Sequence, residues 1–89
     1  MPLERQTVIR NKEGLHFRPI MQLVDVASRF CSRITVRCEE RDADARSPME
    51  LLMLVATQGT KLKLVADGAD AAEALDALVA LVDSGFNED

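Results

Sequence analysis

Arg33-Ile34-Thr35-Val36-Arg37-Cys38 alternates along its whole length: Ile34, Val36 and Cys38 are apolar, and Arg33, Thr35 and Arg37 stand between them. A period of two marks a strand with one face in a core and the other in water. Thr60-Lys61-Leu62-Lys63-Leu64-Val65-Ala66 repeats the pattern, with Leu62, Leu64 and Ala66 on one face and Lys61 and Lys63 on a solvated one. Ala43-Asp44-Ala45-Arg46 keeps the rhythm with small residues. It follows Glu39-Glu40-Arg41-Asp42, a charged stretch that supplies a hairpin turn without the usual Asn-Gly or Asp-Gly. Residues 6–10, with Thr7, Val8 and Ile9 in a row, form a fourth strand through β-branching.

Between these strands the spacing becomes helical. Over residues 17–28, Ile20, Leu23, Val24 and Ala27 recur on one face, leaving Gln22, Asp25 and Arg29 outside. In the last third, Ala71, Ala74, Leu75, Leu78, Val79 and Val82 make one apolar stripe. Asp70-Ala71-Ala72-Glu73 reads as a relative of the capping box before it, and Gly85 as the stop after it. A short helix opens at Ser47-Pro48-Met49-Glu50, where Ser as N-cap, Pro at the first helical position and Glu at the third satisfy three start rules together. The order is strand, helix, strand, strand, short helix, strand, helix. One-sided strands and one-sided helices pack as helices on one face of an antiparallel sheet, an α+β open-faced sandwich.

Composition bounds the function. The 89 residues allow a single domain spanning 1–89, with one modest core. A net charge of −4, no Trp or Tyr and only three Phe argue against a nucleic-acid binder. No apolar run approaches the roughly 20 residues of a membrane span, and the N-terminus lacks a secretory layout, so a cytoplasmic location without membrane insertion is expected. Cys31 and Cys38 have no metal spacing and are expected as buried small apolar residues; no metal or cofactor is called for.

Chemistry concentrates at Gly14-Leu15-His16-Phe17-Arg18-Pro19, around the one histidine. His16 stands where the first helix begins, and Pro19 falls in its first turn, where a missing N–H costs little. The unpaired amides of Phe17 and Arg18 and the positive end of the helix dipole converge near the imidazole. Arg18 adds the guanidinium best matched to phosphate oxygens. Together these suit a phosphoryl group held on the ring. A hydrolase would need a nucleophile or a carboxylate to orient the ring, and none is evident.

The short helix is apolar all round. Leu51, Leu54 and Val55 serve the core, while Pro48, Met49, Leu52, Met53 and Ala56 lie roughly opposite and offer a docking surface. Ser47 is first an N-cap, and also an accessible hydroxyl at a helix start that tolerates phosphate. The tail Asn87-Glu88-Asp89 reads as a frayed acidic end.

The stretch from Gly14 to Pro19 resembles the active-site motif of HPr, the histidine-containing phosphocarrier family of the bacterial sugar phosphotransferase system. Ala45-Arg46-Ser47 before a short apolar helix is similar to that family's regulatory serine region. Thr57-Gln58-Gly59-Thr60 and the run from Ala66 to Phe86 match as well, so the resemblance covers the whole chain. It implies a four-stranded antiparallel sheet with three helices on one face, in the order βαββαβα. It implies that His16 takes a phosphoryl group on Nδ1 from phospho-enzyme I and passes it to an EIIA-type acceptor for sugar uptake. Arg18 would steady the phosphate. The chain would be an intermediate in phosphoryl transfer rather than a turnover enzyme, and a monomer. The second apolar face of the short helix, for its part, places docking on Phe17, Pro48, Met49, Leu52 and Met53 around His16. Ser47 would be a target of HPr kinase/phosphorylase.

Phe17 departs from the family pattern by replacing a small residue beside the reactive ring. Pro48 and Glu50 also differ, and Glu50 sets a negative charge one turn from Ser47. The same residues also suit a paralogue in a nitrogen-type regulatory relay. An adaptor that binds a transcription regulator through the Ser47 helix is a further alternative.

Overall fold

The computed structural model describes residues 1–88. Four strands, β1 (Leu3–Val8), β2 (Arg33–Cys38), β3 (Arg41–Asp44) and β4 (Lys61–Asp67), form one antiparallel sheet in the spatial order β1-β4-β2-β3. Helices α1 (Phe17–Ala27), α2 (Pro48–Met53) and α3 (Ala71–Asp83) cover one face, and a 3-10 turn follows at Gly85–Asn87. Ile34, Val36, Leu62, Leu64 and Ala66 point into the core from the sheet, and Ile20, Leu23, Leu75, Leu78 and Val82 meet them from the helices. The open face is polar, and Lys63 there pairs with Glu4 at 3.2 Å.

The first strand begins earlier than its β-branched run. Leu3, Glu4, Arg5 and Gln6 are exposed and show no apolar alternation, yet their backbones pair with β4 from Leu3↔Ala66 to Gln6↔Lys63. Ile9 lies just past β1 but still donates its N–H to the Thr60 carbonyl. Similarly, β3 starts at Arg41 because the tight turn is only Glu39-Glu40, with Glu39 in the left-handed region at φ 58°. The inward alternation of Ala43 and Ala45 is kept.

Two caps differ from their sequence reading. Ser47 caps α2 as expected, its Oγ accepting from the Glu50 N–H at 3.3 Å. The Glu50 carboxylate, however, accepts from the Asp44 N–H at 3.1 Å rather than returning to Ser47. Asp70 precedes α3 but does not cap it. Its carboxylate instead accepts from the N–H groups of Cys31 and Ser32 and from the Ser32 hydroxyl, at 2.8, 2.9 and 2.5 Å, tying the α1–β2 loop to the start of α3. Cys31 sits in this loop and is exposed, contrary to expectation, whereas Cys38 is buried.

Helix α2 also ends sooner than its apolar pattern. Leu54 is its C-cap, and Val55 turns into the left-handed region at φ 51°. Beyond that point helical spacing no longer assigns faces, so Val55 is exposed and Ala56 is buried, the reverse of the periodic reading. Leu51 and Leu54 are core residues as expected.

Candidate functional site

His16 is the N-cap of α1, with extended backbone (φ −94°, ψ −171°), and its carbonyl accepts from the Ile20 N–H at 3.0 Å. Buried Leu15 on one side and buried Pro19 and Ile20 on the other fix the backbone here, so the half-buried ring projects from a firm base. The N–H groups of Phe17 and Arg18 meet no acceptor among the described residues, as the first donors of a helix with an uncapped N-terminus should not.

The preceding loop is wound tightly. The Gly14 N–H donates to the Asn11 carbonyl at 3.2 Å, the His16 N–H to Gly14 at 3.0 Å, and the Leu15 N–H to the Ala56 carbonyl at 2.9 Å. Buried Asn11 adds a side-chain bond to the Gly14 carbonyl at 2.7 Å. The residues after α2 thereby hold the loop that presents the ring.

Asn87 and Glu88 are not frayed, and Asp89 lies outside the described residues. Phe86 is buried in the core, and Gly85, Phe86 and Asn87 run consecutively through the left-handed region at φ 68°, 56° and 60°. A non-glycine residue there costs about 1–2 kcal/mol, which the buried phenyl ring offsets. This winding brings Glu88 back over the start of α1, where its Oε2 and Oε1 lie 3.1 and 3.2 Å from His16 Nε2. Asn11 Nδ2 donates to Glu88 Oε1 at 2.9 Å. The hydrogen bond from His16, then that from Asn11, hold the Glu88 carboxyl below its ordinary value. An ionised carboxylate only accepts, so Nε2 carries the ring proton and Nδ1 of the neutral ring keeps its lone pair. Glu13 Oε2 stands farther from Nε2, at 3.9 Å. The carboxylate that the sequence left unseen is therefore present, 72 residues away along the chain.

Arg18 is exposed and shares an open cavity of about 430 Å³ with Lys12, Glu13, Asn87 and Glu88. Phe17, next to His16 in sequence, lines with Ile20, Pro48, Met49 and Leu52 an apolar groove of about 190 Å³ between α1 and α2. Exposure runs from 54% at Leu52 through 66% at Met53 and 69% at Met49 to 73% at Phe17, so these side chains are not core. Met53 lies off the groove, in a separate depression with Arg41, Asp42, Glu50 and Leu54. Ser47 stands one residue before Pro48, at the groove's edge. Asn11 and Glu88 are the members that sequence reasoning missed. Phe86, an apolar residue just past the Gly85 stop, was the available sign that the tail turns inward.

Residues 3–84 match the family model described as the PTS HPr component phosphorylation site. The chain belongs to the HPr family. It is 43% identical over 86 residues to the phosphocarrier protein NPr of Proteus mirabilis (strain HI4320), covering 96% of each chain. To the phosphocarrier protein HPr of Xylella fastidiosa (strain 9a5c) it is 39% identical over 87 residues, covering 98% of each. Its fold superposes on the crystal structure of HPr-C-His from Thermoanaerobacter tengcongensis with a TM-score of 0.94, at 41% identity and 98% coverage of both chains. The open-faced sandwich with three helices is thus the HPr fold, and this HPr-family chain is a phosphocarrier of the phosphotransferase system, interacting with that system's enzymes.

Proposed function

We propose that His16 is the residue that carries the phosphoryl group, and that it does so on Nδ1. The observation behind this reading is an imidazole at the open end of a helix, with Nε2 on a carboxylate and Nδ1 without a partner among the described residues, beside an exposed apolar groove. In the forward step the Nδ1 lone pair attacks phosphorus, the donor's bond to phosphorus breaks, and the donor keeps that electron pair. The reverse chemistry delivers the group to an acceptor. The Phe17 and Arg18 amides and the Arg18 guanidinium stabilise the phosphate oxygens. Phospho-enzyme I is the donor and an EIIA-type domain in sugar uptake the acceptor. Both dock through Phe17, Pro48, Met49 and Leu52, with Met53 at the margin.

Transfer from enzyme I charged with phosphoenolpyruvate tests this reading. Arg18→Ala is expected to change stability by less than about 0.5 kcal/mol, because its head group is exposed. It should slow transfer by roughly tenfold or more, a factor of ten for each ~1.4 kcal/mol of lost phosphate contact. Equal midpoints with equal transfer rates would remove Arg18 from the site, and phosphate retained on His16→Ala would remove His16.

A further inference from the structure

The groups that face His16 Nε2 come from opposite ends of the chain. Glu88 presents both carboxylate oxygens to it at 3.1 and 3.2 Å, and Asn11 holds one of those oxygens at 2.9 Å. Asn11 is almost wholly buried and spends its two amide hydrogens on Gly14 O and Glu88 Oε1, while its own Oδ1 meets no donor among the described residues. The reverse orientation of the amide would aim Oδ1 at two acceptors, so the side chain is set by the need to donate in this direction. An unpaired buried oxygen is a cost, and what the fold keeps in exchange is a fixed Glu88. Three consecutive left-handed residues and the buried Phe86 ring serve the same end.

From this geometry we infer that Glu88, anchored by Asn11, is a positioning residue for phosphoryl transfer. The inference rests on His16 being the phosphorylated residue. When neutral imidazole attacks phosphorus through Nδ1, the new N–P bond leaves the ring with Nε2 still protonated and with a positive charge. The Glu88 carboxylate holds that proton in place and faces the charge as it develops. By holding Nε2 it also fixes the rotation of the ring. Onward transfer returns the electron pair of the N–P bond to Nδ1 and discharges the ring, so Glu88 tunes both directions. Glu13 Oε2, at 3.9 Å, makes no hydrogen bond to Nε2.

The test combines kinetics with a spectroscopic readout that needs no phosphate. Glu88→Ala should fold as the parent does and lower the phosphorylation rate at saturating phospho-enzyme I on the order of tenfold, leaving KM for enzyme I unchanged. The His16 Nε2–H resonance expected at low temperature in the parent should vanish in this variant through exchange with water. Glu88→Gln retains an acceptor oxygen without the charge and should recover the resonance but only part of the rate. Asn11→Ala should lower the same rate, and should add nothing in the Glu88→Ala background. Should Asn11→Ala fail to fold, the two Glu88 variants decide. Parental rate and a retained Nε2–H signal in Glu88→Ala would overturn the inference while leaving His16 as carrier. A parent chain that takes no phosphate would instead remove the underlying reading, and the inference with it.

Discussion

Gly14 lies so close to Ala56 that a Cβ built on it would stand 2.5 Å from the Ala56 carbonyl oxygen and 2.8 Å from Thr57 Cα. Both neighbouring atoms are backbone and cannot step aside. The same carbonyl accepts the Leu15 N–H, so the His16 loop and the segment leaving α2 form one unit. The imidazole and the α2 side of the groove are thus fixed relative to one another.

Gly14→Ala is therefore expected to cost about 2–3 kcal/mol, since φ +70° disfavours a side chain and the added methyl displaces backbone. Phosphorylation should fall further than the folded fraction does. Denaturant midpoints set against transfer rates on the same samples measure the difference.

The short helix provides a second prediction. Met49→Glu should weaken binding to enzyme I while changing stability by less than about 1 kcal/mol, because Met49 is exposed. Met53→Glu, off the groove, should weaken it less. Leu51→Ala is the control: fully buried, it should cost about 2–5 kcal/mol. Large stability losses for both Met variants, with no specific loss of binding, would turn the docking face into core.

Asp70 sets a pH dependence. The Ser32 hydroxyl first, then the Cys31 amide, hold its carboxyl below the ordinary 3.8. A depressed folded value means that its contribution is full above 3.8 and is lost as pH falls through the folded value. Asp70→Asn should therefore be less stable than the parent at neutral pH, and its stability should fall less steeply below about pH 4. Urea unfolding as a function of pH reads both effects.

Ser47→Ala should cost about 1 kcal/mol through the lost cap, whatever else Ser47 does. If HPr kinase/phosphorylase with ATP phosphorylates Ser47, the charge arrives beside the Glu50 and Asp44 carboxylates. Neither is neutralised by Arg46, whose guanidinium is spent on the Phe30 and Ser32 carbonyls. Glu50→Gly should accept acid-stable phosphate faster than the parent. An equal rate would show that the acidic surroundings do not matter.

The alternation in β2 and β4 and the stripe on α3 were legible because a period of two or of 3.6 survives wherever one face is buried. Legibility failed where periodicity stopped. Leu54 ends α2 before the pattern does, so Val55 and Ala56 exchanged faces. Asp70 has a cap's position and type, but a long-range partner, Ser32, claimed its carboxylate. His16 was legible through its neighbours at the helix start, whereas Glu88 was not. Polar residues at a chain end look solvated, and only a buried Phe86 two positions earlier shows otherwise.

The most direct test of the carrier role is to incubate the parent and His16→Ala with enzyme I and phosphoenolpyruvate, then compare intact masses before and after brief treatment with acid or base. A phosphoramidate on the ring predicts one added phosphoryl group on the parent, lost in acid and kept in base, and none on His16→Ala. An acid-labile phosphoryl group on His16→Ala, or none on the parent, would contradict the account.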